Sequence, residues 1–515
     1  MIFFKDIIRH IQLISRNIKL DSNEKNFIKF HFRHDNKTNK KKCILIQMVT
    51  DYYYLTYYKT IIDDKKFSDY TFVGLWPYSA RTIRKRNILL EFLNQVYNQV
   101  YDFILFYKWR KLYRSIGIIF FEKLNDNLII LKKSEISAYN NYIKKNKLLD
   151  YTIKGLKVGD IIYDTYLRFR AQPTLFLNDN YLIILIIKSK KIISKLERLY
   201  KRYNIKFFFT SYSSYIHHGL PARFFLKKNI IVYSGEYFSH YNKKLTKTDY
   251  YHVPNCDKLF SYRKLILNNN KFLKYSQNEL SKRFEGLNDY KLNYMESNPY
   301  RILNLKKKIV DNFEGVLFLQ DFYDSPHDWK NLVFDDFYKW TIFTLNLIRK
   351  YRLKIAVKPH PNSWHNSKDS VLLYARLKKR FSDIIWIDKN LSNKIIFKKI
   401  KYGISATGSI LLELAYHKKK AISCGFHPGI NFNFTINAKN KFEYKRILLN
   451  INVINKPKYS KKDLLVYNFI YKHYNMDAFD NVARKINLRK VDFTTSKGLI
   501  QFSKNYENFI KENNL

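Results

Sequence analysis

The segment Leu353-Lys-Ile-Ala-Val-Lys-Pro-His-Pro361 and the segment Tyr402-Gly-Ile-Ser-Ala-Thr-Gly-Ser-Ile-Leu-Leu-Glu-Leu-Ala-Tyr416 each begin with an apolar strand that ends in a short polar loop. The second loop opens a stretch whose apolar residues recur at helical spacing. Successive strand, loop and helix units predict a parallel sheet covered by helices. Because open α/β sheets bind ligands at the carboxyl ends of their strands, both loops are predicted to face one ligand site.

The second polar loop has the chemistry of an anion site. Backbone N–H groups and the positive dipole end at a helix N-terminus favour an anion, and the hydroxyls of Ser405, Thr407 and Ser409 can donate to phosphate oxygens. Gly408 lets the backbone approach a ligand. Glu413, one turn into the helix, could accept hydrogen bonds from a ribose diol. The alternative is that the serines only cap the helix and that Glu413 only complements its dipole.

Two prolines, Pro359 and Pro361, fix the backbone on either side of His360. Proline locks its own φ and restricts the preceding residue, so the imidazole is held at the carboxyl end of its strand. A structural histidine in a turn would have the same sequence. Two such motifs in consecutive units favour the ligand site, where Lys358 or nearby backbone amides would offset the charge of a bound anion.

The His-Pro loop, the Ser/Thr-rich loop and the glutamate on the next helix together resemble the donor half of GT-B glycosyltransferases of bacterial capsule and lipopolysaccharide synthesis. Kdo transferases and bacterial sialyltransferases are similar in these motifs. The resemblance implies an α/β, GT-B-like fold of two Rossmann-like, doubly wound domains with a cleft between them and a helical C-terminal tail. It also implies a nucleotide-sugar donor, commonly a CMP-sugar, as substrate, with no resident cofactor. The donor phosphate and nucleoside would be held by His360, Ser405, Thr407 and Ser409, with Glu413 toward the ribose.

Other functions remain open at this point. Glycerophosphotransferases of teichoic-acid synthesis have a related arrangement, and a GT-B-fold UDP-GlcNAc epimerase would use the same cleft without an acceptor. A nonenzymatic nucleic-acid or membrane-surface binder is suggested by the formal charge of +51. The basic residues are spread over the whole chain and accompany Asn, Ile, Tyr and Phe, which A/T-rich codons encode. No basic cluster or nucleic-acid motif stands out, so no specific nucleic-acid partner is expected.

The apolar strand before Gln320 is predicted to be the first strand of the second domain. The loop that follows it would line the interdomain cleft with Asp321, Asp324, Ser325 and His327. The alternative is an ordinary helix start, with Ser325 as the cap and Pro326 at the first helical position.

A general base for the acceptor hydroxyl is expected in the first domain, and Asp or His is the usual choice. Asp160, Asp164 and Arg168 follow Gly159 at four-residue spacing, which puts them on one face of a helix. If this face lies across the cleft from the donor, either aspartate could be the base and Arg168 would line the cleft. The alternative is a solvated ladder of salt bridges.

The adjacent histidines His217 and His218, before Gly219, suit acceptor binding or proton transfer, and His218 is a third candidate base. They lack ligands at zinc spacing. The acidic pairs Asp63-Asp64 and Asp335-Asp336 are predicted to be solvated. We therefore predict metal-independent, inverting chemistry without a metal site.

Composition favours a folded protein of a reducing compartment. The chain of 515 residues is 46% hydrophobic, enough for two or three domains, and its cysteines Cys43, Cys256 and Cys424 are widely separated. Its charge predicts attraction to anionic membrane surfaces, and Met1–Lys19 could form an amphipathic helix in the interface or pack on the domain. We expect a cytoplasmic protein, peripheral at the inner face of the cytoplasmic membrane, with a glycan or lipid-linked acceptor.

The predicted domain organisation has four parts. Residues 1–42 form the amphipathic helix and a basic linker, and residues 43–300 form a Rossmann-like acceptor domain with a helical linker. Residues 301–460 form the Rossmann-like donor domain, and residues 461–515 form a helical tail. Strands are expected at Ile44–Met48, Val73–Trp76, Gly117–Phe121, Ile205–Phe209, Ile230–Tyr233, Val316–Leu319, Ile355–Lys358, Ile384–Ile387, Tyr402–Ile404 and Ala421–Cys424.

Overall fold

The computed structural model describes residues 19–32, 42–77, 88–124, 148–236, 241–287, 299–301, 312–330, 332–361, 368–473 and 491–512, with short pieces between 129 and 141. The chain divides into two compact units. Unit 1 comprises Met1–Thr165, Leu177–His252 and Asp477–Leu515, and unit 2 comprises Tyr166–Phe176 and Val253–Met476. The predicted amphipathic helix lies outside the described residues except for Lys19.

Unit 1 is built on a mainly parallel sheet. In the described residues its strands are β1 (Lys42–Gln47), β2 (Tyr70–Trp76), β3 (Phe120–Lys123), the hairpin of β4 (Thr152–Ile153) and β5 (Leu156–Lys157), then β6 (Ile205–Thr210), β7 (Ile231–Glu236) and β8 (Tyr241–Leu245). The sheet order is β3-β2-β1-β6-β7-β8, and β8 alone among these runs antiparallel to its neighbour. The chain direction across the sheet reverses between β1 and β6. This is the switch point at which doubly wound sheets bind ligands.

The helices of this part of the chain are α1 (Ser22–His31), α2 (Tyr52–Ile62), α3 (Ile88–Ser115), α4 (Gly159–Arg170), α5 (Asn180–Arg202) and α6 (Leu220–Lys227). Helix α1 corrects the predicted linker. Asp21 accepts a hydrogen bond from the Glu24 backbone N–H while the Glu24 carboxylate accepts one from the Asp21 N–H, so a capping box starts a helix there. Phe27 on its inner face is fully buried in the unit 1 core.

Unit 2 contains a second parallel sheet, of β9 (Gly315–Phe318), β10 (Ile355–Lys358), β11 (Tyr402–Ser405), β12 (Lys420–Ser423) and β13 (Ile436–Asn437). The order is β10-β9-β11-β12-β13, with a switch point between β9 and β11. A Cβ on Gly315 would lie 2.0 Å from the Tyr402 ring, so only glycine fits at the start of β9. The predicted strand Ile384–Ile387 is reduced to an isolated bridge between Val357 and Trp386.

Helices cover this sheet, and the last described helix returns to unit 1. The unit 2 helices are α7 (Cys256–Ser261), α8 (Arg263–Leu267), α9 (Asn270–Phe284), α10 (Phe337–Tyr351), α11 (Lys368–Arg380), α12 (Asn393–Lys399), α13 (Ile410–Tyr416), α14 (Lys441–Leu449) and α15 (Lys461–His473). Helix α16 (Lys497–Glu512) buries Leu499, Phe502 and Tyr506 in the unit 1 core. The described residues contain no helix long and apolar enough to cross a bilayer.

The predicted α/β class, with doubly wound sheets and a helix at the C-terminal end, is confirmed. The division of the chain differs from the predicted boundaries. Residues 253–300 and helix α15 belong to unit 2, because α15 packs against α9 and buries Leu464, Val466 and Ile470 in the unit 2 core. The strand predicted from Gly117 begins only at Phe120, since Gly117 has a φ of +110° and ends a turn.

Candidate functional site

At the switch point of unit 2, a glutamine joins the ends of two neighbouring strands. The side-chain Nε2 of Gln320, just beyond β9, donates to the Ser405 Oγ at 2.7 Å and to the Thr407 carbonyl at 2.7 Å. Ser405, at the end of β11, donates its own hydroxyl to the same carbonyl at 2.8 Å. Gly408 follows with a φ of +111°. The loop is therefore shaped from within, and Ser405 is occupied in holding it.

Among the described residues of this loop, Thr407 carries the one hydroxyl that has no hydrogen-bond partner. Its side chain is 2% exposed, and Oγ1 has no hydrogen-bond partner. A buried hydroxyl without a partner costs about 1–3 kcal/mol of stability. Because the Ser405 and Ser409 hydroxyls are engaged within the protein, the Thr407 hydroxyl is the side-chain group of this loop best suited to bind a ligand oxygen.

His360 lies two residues beyond β10 and is half-buried. Burial lowers its pKa to about 4, and the nearby Asp324 carboxylate only partly opposes this effect. The imidazole is therefore neutral at neutral pH. It can donate one hydrogen bond to a phosphate oxygen but does not bring a positive charge.

The structure does not support a phosphate contact by Lys358. Its side chain is 2% exposed, and Nζ donates to the Leu391 carbonyl at 2.7 Å and to the Asn393 Oδ1 at 2.5 Å. Burial lowers the pKa of this amine to about 7, although Glu413 and Asp388 act in the other direction. Lys358 thus ties the end of β10 to the segment that starts α12.

Glu413 is likewise engaged within the protein, which corrects its predicted position toward a ribose. Its buried Oε1 receives the Arg283 Nη2 at 2.6 Å and Nε at 3.0 Å, and the Ser409 hydroxyl at 3.1 Å. The Tyr300 hydroxyl donates to Oε2. Ser409 also lies 3.3 Å from Arg283 Nη2 and caps no backbone N–H of α13. Both residues therefore anchor α13 to α9 and Tyr300.

The ion pair between Glu413 and Arg283 should make the free energy of unfolding depend on pH in acid. Burial alone would raise the pKa of Glu413, but Arg283, Tyr300 and Ser409 hold it below the ordinary value of 4.5. A carboxyl whose pKa is depressed by folding stabilises the protein fully above its unfolded pKa and loses that contribution as the pH falls through its folded pKa. We expect the unfolding free energy of Glu413→Gln, measured by urea titration, to fall less steeply below pH 4.5 than that of the wild type. Equal slopes would contradict this.

The loop after β9 holds its polar side chains mostly by local contacts. Asp324 is exposed and accepts the Ser325 backbone N–H, while the Ser325 hydroxyl donates to the Asp328 carboxylate at 2.5 Å. Pro326 begins a short 3-10 turn, Pro326–Trp329, but Ser325 does not cap it through its side chain. Asp321 accepts the backbone N–H of Tyr323. His327 is buried in the same turn, and its role as a cleft residue stays a prediction.

The acidic pair at the start of α10 is only half solvated. Asp335 pairs with Lys339 on the surface, whereas Asp336 is 1% exposed. Asp336 caps α10 and accepts the Thr174 hydroxyl at 2.7 Å. The expectation that both are solvated is therefore wrong for Asp336.

In unit 1, Asp160 is the acceptor of a buried ion pair. Arg223 on α6 donates to both carboxylate oxygens at 2.6 and 2.8 Å, and the Tyr251 hydroxyl donates at 2.9 Å. Asp160 and Arg223 are 3% and 5% exposed. A carboxylate held by three charge-assisted or phenolic donors is a poor proton acceptor. Asp160 therefore fixes α4 to α6 and is not a suitable base; Asp164 is also buried, and Arg168 is half-buried.

His218 is the candidate base whose ring keeps an unengaged nitrogen among the described residues. It follows β6 in a π-helical turn, Tyr215–Gly219, and its Nδ1 lies 2.8 Å from Oε1 of Gln47, the last residue of β1. Burial and the neighbouring His217 and His252 lower its pKa well below the usual value. Its Nε2 has no hydrogen-bond partner in the part of the chain that the structure describes. The ring is thus neutral, buried and located at the switch point of unit 1.

The turn that carries His218 is strained. Tyr215 adopts a φ of +58°, which costs a non-glycine residue about 1–3 kcal/mol. A Cβ on Gly219 would lie 2.5 Å from the Ser213 carbonyl, so the turn closes only with glycine there. The Ile216 N–H donates to the Thr165 hydroxyl at 2.9 Å. Strained π turns of this kind are frequent at functional sites.

Sequence reasoning missed the two glutamines that organise these clusters. Gln47 is the last residue of β1 and Gln320 lies two residues beyond β9, and each of these apolar strands is the first of its sheet. Both side chains reach across the switch point to the adjacent strand, toward Thr210 and His218 in unit 1 and toward Ser405 in unit 2. The sequence signal that could have identified them is a single amide side chain directly after a run of apolar residues.

Known proteins match this chain only at low sequence identity and low structural similarity. No family model matches the sequence, and no curated protein matches it. Among solved structures, the chain is similar to the beta Kdo 2,4 transferase KpsC of Thermosulfurimonas dismutans, with 12% identity over 52% of this chain and 79% of that one and a TM-score of 0.33. It is similar to a UDP-GlcNAc 2-epimerase of Methanocaldococcus jannaschii, with 9% identity over 82% and 97% and a TM-score of 0.25. A glycosyltransferase of Rickettsia africae gives 9% identity over 92% and 99% and a TM-score of 0.24. These scores are too low to support an assignment of substrate or reaction.

Proposed function

We propose that this chain is a GT-B-type glycosyltransferase that transfers a sugar from a nucleotide donor to a growing surface polysaccharide or lipid-linked glycan. The observation that carries the proposal is that each of two parallel sheets has a glutamine-organised polar cluster at its switch point. The unit 2 cluster would offer its buried Thr407 hydroxyl to a phosphate, and the neutral His360 lies beyond the neighbouring strand β10. The unit 1 cluster offers a neutral imidazole to a proton.

The proposed chemistry uses few groups. The acceptor hydroxyl oxygen attacks the anomeric carbon, and its proton passes to His218 Nε2. The bond between the anomeric carbon and the phosphate oxygen breaks, and the electron pair leaves with the nucleotide. Thr407 Oγ1 and His360 would donate hydrogen bonds to the departing phosphate. Glu413 and Ser409 hold the start of α13 in place, and Lys358 ties β10 to α12, because their polar atoms are already engaged.

The sequence motifs are the basis for the proposed donor. The His-Pro and Ser/Thr loops resemble those of enzymes that use CMP-sugars, so a CMP-sugar is favoured over a UDP-sugar. Capsule or lipopolysaccharide assembly at the inner face of the cytoplasmic membrane is the setting that the resemblance and the charge of +51 favour.

The donor site is tested through Thr407. We expect Thr407→Val, which keeps the side-chain shape, to weaken binding of the selected nucleotide about 10- to 100-fold, because a hydrogen bond to a charged group contributes about 1.5–3 kcal/mol. Calorimetric titration with CMP, CDP, UDP and GDP measures this and names the nucleotide, and His360→Ala should also weaken it.

Thr341→Val is the matched control. Thr341 is a fully buried threonine of unit 2 whose hydroxyl donates to the Phe337 carbonyl, far along the chain from the loop. It should leave nucleotide affinity unchanged. Absence of binding to all four nucleotides would overturn the proposed function, and interconversion of free UDP-GlcNAc without an acceptor would replace it by epimerase activity.

A further inference from the structure

Gln47 is fully buried at the end of β1, beside β6 and directly at the switch point of unit 1. Its side-chain Nε2 donates to the His217 carbonyl at 2.7 Å. Its Oε1 faces His218 Nδ1 at 2.8 Å, and the Thr210 hydroxyl contacts the same oxygen. A polar side chain this deeply buried is held in one orientation by what surrounds it.

The orientation of the amide follows from hydrogen-bond chemistry. The His217 carbonyl can only accept, so the amide atom facing it must be the nitrogen. The atom facing His218 is then the amide oxygen, which also can only accept. His218 Nδ1 must therefore carry a hydrogen, and in the neutral ring Nε2 keeps its lone pair. The Ser211 hydroxyl, at 3.4 Å from Nδ1, is too distant to set the tautomer.

We propose that Gln47 is the positioning residue that holds His218 in its Nδ1–H tautomer and thereby presents Nε2 as the proton acceptor. The proposal deepens the proposed function and rests on it only for the effect on turnover. The tautomer itself is a property of unit 1 without substrate. A carboxylate in this position would stabilise the imidazolium. A neutral amide orients the ring without doing so.

The remaining neighbours do not replace this amide. His217 and His252 are the titratable groups whose charge acts on His218, and the Tyr212 ring packs edge-on against it at 5.8 Å. His252 Nδ1 is directed to Ser213, at 3.2 Å from its hydroxyl and 3.4 Å from its N–H. Among the described residues, Gln47 is thus the acceptor that fixes the His218 proton.

The test reads the ring nitrogens of His218 by NMR in the full-length chain labelled at histidine, with His218→Ala used for assignment. The wild type should show a protonated Nδ1 and a bare Nε2. Gln47→Met, which keeps the shape but removes the acceptor, should populate the other tautomer and lower turnover about 10- to 100-fold, as loss of an orienting partner does at metal-binding histidines. Gln47→Glu should raise the NMR pKa of His218 and move the acid limb of the pH–rate profile upward.

The outcomes separate the proposal from a purely structural role. A bare Nδ1 in the wild type, or an unchanged tautomer in Gln47→Met, would overturn it even if the protein transfers sugar. An unchanged His218 pKa in Gln47→Glu would also overturn it. If the protein proves to have no transferase activity, the wild-type resonances still decide whether Gln47 sets the tautomer, so the two failures are distinguishable.

Discussion

Replacement of His218 by alanine is expected to reduce sugar transfer about 10²- to 10⁴-fold while leaving nucleotide affinity unchanged. A positioned general base contributes a rate factor of this order, and His218 lies in unit 1, whereas the donor contacts are proposed in unit 2. Turnover is measured by release of the nucleotide that calorimetry selects, and affinity by the same titration. The loss should appear in kcat, because the base acts in the transition state.

His217→Ala is the matched control for this variant. The two histidines are adjacent, both are neutral because burial lowers their pKa values, to about 3 for His217, and they differ in what holds them. The His217 ring stacks on Tyr215, and it is the His217 backbone carbonyl that binds Gln47. His217→Ala should therefore retain most of its turnover. If His217→Ala loses as much as His218→Ala, or if Asp164→Asn alone abolishes transfer, the assignment of the base is wrong.

The sequence could not predict which buried partners engage His218 and Asp160. Both were candidates for the same task, and spacing alone could not separate them. Asp160 is paired with Arg223, 63 residues later in the chain, and His218 with Gln47, 171 residues earlier. Partners this distant are brought together by sheet topology, which leaves no local pattern. The strand ends themselves were predictable, because apolar runs that stop at polar loops are a local signal.

The same limit applies to the loop after β11. The loop after β11 was correctly located, yet its hydroxyls have different roles. Ser405 and Ser409 are engaged by Gln320 and Glu413, while Thr407 alone is left over among the loop hydroxyls described. A Ser/Thr-rich sequence cannot show which hydroxyl is turned inward to support the loop. Helix α1, in the predicted linker, was missed although its signal is local. The segment was interpreted as a linker from its polar composition, and the capping box at Asp21 and Glu24 was overlooked.

Breaking the buried pair of unit 2 is expected to have the largest effect on stability. Arg283→Met leaves the Glu413 carboxylate, which is 1% exposed, with the Tyr300 and Ser409 hydroxyls as its remaining side-chain donors among the described residues. Removing one partner of a buried ion pair costs about 3–5 kcal/mol, because the remaining charge is uncompensated. Urea unfolding of the full-length chain, followed by hydrogen exchange in peptides that cover α9 and α13, measures the loss where it arises.

Two further variants make the result specific to burial. Arg349→Met removes the same side chain from the pair with Asp383, whose members are 42% and 49% exposed, and should leave the unfolding free energy nearly unchanged. Adding Glu413→Gln to Arg283→Met removes the stranded charge and should recover a large part of the loss, since the amide oxygen can still accept from Tyr300. If Arg283→Met is no less stable than Arg349→Met, Glu413 does not depend on Arg283. The carboxylate would then be available to a ribose after all, and Glu413→Gln should weaken nucleotide binding.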